Sequence, residues 1–226
     1  MILNIYKQKN WTSFDVVAKI KSLLKVKKAG HAGTLDPLAE GVLIVLTEKD
    51  TKKQSEIMNQ KKEYVAEIAF GASTETLDLE ETPVLSENLV TEEVLRNEIP
   101  AVLSKYEGEI EQEIPKFSAK KVKGKPLYKK ARKNLLGEYK PEKKTVNIYE
   151  SDVLDVYSKE FETNKGNKTL PVLKCRVVCS SGSYIRQLAA DLGNELGTRG
   201  VLVDLVRTRI GEYTLEKAVK VSELKI

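Results

Sequence analysis

The chain has 226 residues, 41% of them hydrophobic and 31% charged, which excludes a disordered chain and is enough for one large core or two small ones. No apolar run reaches the roughly 20 residues needed to cross a bilayer, and the start MILNIYKQKN lacks a basic region leading into an apolar one. A cytoplasmic protein without a membrane role is therefore expected.

In chain order, ILNIY (2–6) reads as a short strand. Thr12 or Ser13 can cap a helix whose Val16, Val17, Ile20, Leu23 and Leu24 recur at helical spacing. A glycine-rich loop follows, and VLIVL (42–46) is a continuous apolar strand of the kind buried on both faces. KEYVAEIAFG (62–71) alternates as a strand with Tyr64, Ala66, Ile68 and Phe70 on one face. Residues 91–106 have a helical pattern that Pro100 is expected to end or kink. KTVNIYESDVLDVYS and LPVLKCRVVCS (170–180) read as strands, with the polar KEFETNKGNKT as their hairpin connection. SYIRQLAADLGNEL (183–196) is a helix stopped by Gly197, and GVLVDLVRTRIG (200–211) a last strand. Strands and helices mix without a βαβ rhythm. The expected class is α+β, with a mixed or mostly antiparallel central sheet flanked by helices, in a single domain over residues 1–226.

The cysteines Cys175 and Cys179 fall on one face of a strand about 13 Å apart, too far for a disulfide. With the only histidine elsewhere they make no metal site, and they read as buried thiols. Charge is the uneven property. Residues 116–144 hold 12 Lys or Arg against 2 Glu, a net +10, which leaves 26 basic and 31 acidic groups, a net −5, on the rest. Phe117, Tyr128 and Tyr139 interleave with the lysines, so this basic insertion (about 115–145) can offer both phosphate contacts and base stacking. A solvated lysine-rich loop is the alternative.

KKAGHAGTLDPLAEGVLIVL (27–46) holds the only histidine, three glycines and an Asp-Pro step. Read alone, GTLDPL is a helix start, with Asp36 as N-cap and Pro37 in the first position; a catalytic aspartate is the other reading.

Taken whole, GHAGTLDPLAEGVL resembles the signature loop of the TruB family of pseudouridine synthases. NWTSFDVV, KEYVAEIAFGASTETLDLE, IPKFSAKKVKGKPLYKKAR, CSSGSYIRQLAADLG and LVRTRIG resemble further family segments in the same order, from about Ile2 to Leu224. The resemblance implies a pseudouridine synthase fold and isomerisation of a uridine in the T-arm loop of tRNA, position 55, after the base is flipped from its stack. It implies Asp36 as the catalytic carboxylate, attacking covalently or stabilising a glycal-forming path, and Arg186 of the Tyr-Ile-Arg motif as the cation that keeps it ionised. Tyr64 would stack on the flipped base or handle the late proton, Tyr184 line the uracil pocket, and Leu205 pack against the base. His31 would fill space near the displaced stack. Lys7 stands where the family has a Lys-Pro pair, here followed by Gln8. Lys120, Lys121, Lys123, Lys125, Lys129, Lys130 and Arg132 would contact RNA. No metal, no organic cofactor and no obligate protein partner are implied, and a monomer is expected. The resemblance further implies the catalytic domain without the C-terminal RNA-binding PUA domain of many bacterial members, the basic insertion supplying affinity in its place. The same features leave two other readings: a synthase acting on another RNA, as guide-dependent relatives do, and a non-catalytic RNA-binding or tRNA-folding module.

Overall fold

A computed structural model describes residues 1–118, 120–122, 125–133 and 140–224, the side chains of 121, 122, 125 and 126 excepted. The chain divides into two compact units. The first comprises residues 1–66, 176–181 and 204–226, the second residues 67–175 and 182–203. Three strands, Lys62–Phe70, Gly166–Cys179 and Gly200–Ile210, contribute to both.

In the first unit the hydrogen-bonded strand order is Val219–Lys220, Ile2–Lys7, Glu40–Thr47, Gly200–Ile210, Lys62–Phe70 and Gly166–Cys179. Ile2–Lys7 runs antiparallel to Glu40–Thr47, with Ile5 opposite Leu43, and parallel to Val219–Lys220. Glu40–Thr47 also runs parallel to Gly200–Ile210, with Arg207 opposite Gly41, so the sheet is mixed. Val42, Leu43, Ile44, Val45 and Leu46 are all fully buried, as the unbroken apolar run requires. One face packs Leu43 and Val45 with Ile5 against Val16, Val17 and Ile20 of the helix Ser13–Leu23; the other packs Val42, Ile44 and Leu46 with Ile57 and Ile210. That helix begins in a capping box: Thr12 Oγ1 accepts from Asp15 N at 3.1 Å, and Asp15 Oδ2 accepts from Thr12 N at 2.8 Å.

The second unit orders its strands Lys62–Phe70, Gly166–Cys179, Lys143–Thr163 and Gly108–Glu113. Ala69, Ala72, Phe161, Leu170, Val172 and Val201 form a core there. The longer helices are Glu92–Ser104 and Ile185–Glu195, the latter followed by Gly197 at φ +68°, the left-handed turn expected of it.

Three expectations differ from what is seen. Pro100 neither ends nor bounds its helix, which runs on to Ser104, because Ile99, Val102 and Leu103 continue its buried face past the proline. The polar connection expected after residue 158 is mostly strand. Lys143–Thr163 and Gly166–Cys179 extend to a tight turn at Asn164 and Lys165, with polar side chains outward and Gly166 at φ +79°. The glycine-rich loop begins as a strand, Ala29–Ala32, pairing antiparallel with Glu40–Thr47.

Gly41 sits at φ +103°, and a Cβ there would lie 2.3 Å from the carbonyl oxygen of Arg207. Gly41→Ala combines left-handed strain with backbone overlap. It should cost about 2–4 kcal/mol in urea unfolding, where an alanine at a tolerant surface site costs almost nothing.

Candidate active site

The segment that carries Asp36 is not helical. Gly33–Ala39 forms an irregular turn in which Ala39 N donates to Asp36 O at 3.1 Å, so Asp36 caps no helix and the helix-start reading fails. Five carbonyls of this turn, those of Gly33, Thr34, Leu35, Pro37 and Ala39, are held from elsewhere in the first unit. Arg207 donates from Nη2 to Gly33 O at 3.1 Å, from Nη1 to Thr34 O at 3.4 Å and from Nε to Val42 O at 2.7 Å. Ser13, at the start of the first helix, donates its hydroxyl to Leu35 O (3.0 Å) and accepts from Leu35 N (2.8 Å). Asn10 N donates to Pro37 O at 2.8 Å from a backbone at φ +65°, a conformation asparagine tolerates. Lys7 Nζ donates to Ala39 O at 2.6 Å, Gln8 O at 3.1 Å and Pro37 O at 3.4 Å. Beyond the turn, the Tyr6 hydroxyl donates to Glu40 Oε2 at 2.6 Å. Asp36 itself is half-buried at the head of this fastened segment.

Lys7 and Arg207 are both almost completely buried. Burial pulls the Lys7 ammonium down from its ordinary 10.5 to about 8, the Asp36 carboxylate opposing the fall and the Arg207 guanidinium adding to it. Burial likewise lowers His31, with Arg207 adding, so its imidazole is neutral at neutral pH and suits a space-filling part. Tyr64 is buried, and its hydroxyl is pushed up by that burial while Arg207 pulls it down. Leu205 shares the inward face of its strand with Arg207, two residues on. Asp36, Lys7, His31, Tyr64 and Leu205 thus all belong to the first unit.

Tyr184 and Arg186 belong to the second. Tyr184 precedes the helix Ile185–Glu195, its backbone N and O exchanging hydrogen bonds with the buried amide of Gln112. Arg186 is buried; it donates to Thr76 O at 2.7 Å and Phe117 O at 2.9 Å, and faces Asp78 across 3.6 Å in an ion pair 7% and 1% exposed.

In the basic segment, Lys120 pairs with Glu142, Lys116 with Glu75 (2.9 Å) and Arg132 with Glu80 (3.5 Å); Arg132 also lies 5.9 Å from the Tyr128 ring centroid. Lys129 and Arg132 are exposed and Lys130 half-buried. Lys121–Val122 and Lys125–Pro126 pair as two short strands, and Lys123 lies outside the described residues. Both cysteines are buried and in no disulfide, Cys175 pushed up to about 12 by that burial. Among the described residues no cluster of His, Cys, Asp and Glu could hold a metal, and no helix is long and apolar enough to cross a membrane.

Sequence reasoning passed over Arg207, Ser13 and Asp78. Only Arg207 carried a signal: a cation two residues from Leu205, on the same face of the strand Gly200–Ile210.

A family profile described as TruB family pseudouridylate synthase (N-terminal domain) matches residues 21–185. The chain is 44% identical over 229 residues to tRNA pseudouridine synthase B of Parabacteroides distasonis, covering 99% of this chain and 91% of that protein. It is 38% identical to the protein of the same name from Clostridium tetani, covering 99% and 72%. Among solved structures it resembles a chain in an H/ACA ribonucleoprotein bound to a substrate RNA containing 2′-deoxyuridine, with a TM-score of 0.67 and 27% identity, covering 99% of this chain and 51% of that one. The fold is therefore the pseudouridine synthase fold.

The buried lysine gives a pH signature. Its folded value of about 8 lies below the unfolded 10.5, so between these the unfolded chain binds the extra proton and stability rises with pH. The gain is complete above 10.5 and absent below 8. Urea unfolding of Lys7→Met should lack this rise; parallel pH profiles for the two proteins would show that Lys7 is not the buried titrating group.

Proposed function

Because this chain belongs to the TruB family of pseudouridylate synthases, we propose that it converts the uridine at position 55, in the T-arm loop of tRNA, to pseudouridine. The protein is an isomerase: the bond from ribose C1′ to N1 of uracil breaks, one from C1′ to C5 forms, C5 loses a proton and N1 gains one. Nothing is added or removed, so no cofactor is called for. The reacting bond is hidden while the base is stacked, so flipping comes first, and a carboxylate then either attacks covalently or stabilises the path through a glycal. Asp36 is that carboxylate. The observation that carries this role is the fastening of its turn: an irregular segment with its backbone held by Arg207, Ser13, Asn10 and Lys7 carries one reactive side chain in fixed geometry.

Tyr64 stacks on the flipped base or takes the late proton, Leu205 packs against it, and His31 occupies the space near the displaced stack. Tyr184 lines the uracil pocket and Arg186 is required for turnover. The protein works in the cytoplasm as a monomer without an obligate partner, and residues 116–144 grip phosphates, Lys120, Lys121, Lys123, Lys125, Lys129, Lys130 and Arg132 among them.

Carbodiimide labelling and primer extension on an unmodified tRNA transcript should give a stop at position 55 with the native protein. Asp36→Asn should abolish it while leaving tRNA affinity within about threefold. Binding without a stop from the native protein would identify a non-catalytic module, and a stop only with added guide RNA would identify another substrate class.

For the basic segment, replacing Lys121, Lys125, Lys129 and Lys130 by glutamine should flatten the log-affinity against log-salt slope by about 3, at 0.7–0.9 per lost phosphate contact. An unchanged slope would mean that these lysines face solvent in the complex.

A further inference from the structure

The resemblance gives a role to Arg186 but none to Arg207, yet the turn that carries Asp36 is gripped by Arg207 together with Lys7. We infer that Arg207 is a positioning residue for the reaction, holding the backbone on either side of Asp36 in one arrangement; this rests on the reading of Asp36 as the reactive carboxylate.

Three features of the first unit support this. Arg207 is 1% exposed, and a guanidinium removed from water must place its N–H groups on acceptors. It spends them on the carbonyls of Gly33, Thr34 and Val42, which bracket the Asp36 turn on both sides. Shifting the guanidinium therefore shifts where Asp36 begins. Gly33, at φ +94°, leaves only 3.5 Å between an added Cβ and Arg207 Nη1, so the guanidinium lies directly under the first residue of the turn.

The Arg207 backbone is fixed independently of its side chain. It pairs in register with Gly41 of Glu40–Thr47, where the absence of a Cβ allows the two chains to approach. The head group thus projects from a strand that cannot slide. One planar, fork-shaped cation reaches three carbonyls on the two sides of the turn, a task a lysine's single ammonium cannot copy.

The test compares Arg207→Lys, Arg207→Ala and Asp36→Asn on unmodified tRNA transcript, measuring affinity by filter binding, kcat and KM by pseudouridine formation, and folding by cooperative urea unfolding. Arg207→Lys should lower kcat at least tenfold with affinity and KM within threefold. Arg207→Ala should lose more, and added guanidinium ion at millimolar concentration should restore part of its kcat but none of that of Asp36→Asn. A purely structural role would reduce binding and turnover together in proportion to the unfolded fraction, with no rescue, and would overturn the inference. So would unchanged kcat in Arg207→Lys. If Arg207→Ala does not fold, Arg207→Lys alone is decisive; if neither folds, the residue is structural and the inference falls. An active Asp36→Asn would instead remove the reading of Asp36, whatever Arg207 does.

Discussion

The constraint on which the first unit turns is the solvation of two buried cations by the backbone of an irregular loop. Lys7 and Arg207 are fully withdrawn from water, and such charges are tolerated only where every N–H finds an acceptor. A buried loop has the converse difficulty, carbonyls with no ladder to join. Between residues 33 and 42 the two needs cancel: Arg207 takes the carbonyls of Gly33, Thr34 and Val42, and Lys7 those of Pro37 and Ala39. The loop's carbonyls are thereby satisfied as those of regular structure are, while it keeps a shape that no helix or strand could give it.

That exchange also explains why GTLDPL does not become a helix, despite an aspartate and a proline in favourable positions. A helix begun at Asp36 would turn the Pro37 and Ala39 carbonyls along its axis into hydrogen bonds of its own and leave Lys7 short of acceptors. The local preference of a cap is worth about 1 kcal/mol, against several for an unsatisfied buried charge. Distant residues 7 and 207 therefore decide the conformation of residues 33–39, and no window of sequence contains both.

The same distinction separates what was legible in the sequence from what was not. The apolar run 42–46, the alternation of 62–70 and the helical spacing of 13–23 state their burial directly, because a single element's periodicity reports its own faces. The reading of Asp36 as the reacting carboxylate rests on resemblance, since nothing local tells a reacting aspartate from a capping one. Pro100 misled because continuity of a buried face outweighed one missing hydrogen bond. Asp78 was invisible for a related reason: nothing in STETLDLE marks it as buried, and only the fold sets Arg186 opposite it.

Arg186 repeats in the second unit the device that Arg207 uses in the first. Its guanidinium takes the carbonyls of Thr76 and Phe117, and Phe117 stands at the root of the segment that concentrates the positive charge. The base of that segment is further tied by Lys116 to Glu75, Lys120 to Glu142 and Arg132 to Glu80, pairs that are largely exposed. Such surface pairs are worth at most about 1 kcal/mol each, so a phosphate can displace a carboxylate at little cost. The acidic partners limit self-repulsion among the lysines without competing seriously for them. A root fixed by a buried guanidinium and cations held by exchangeable carboxylates would keep the phosphate-gripping surface proposed for residues 116–144 ready before its partner arrives.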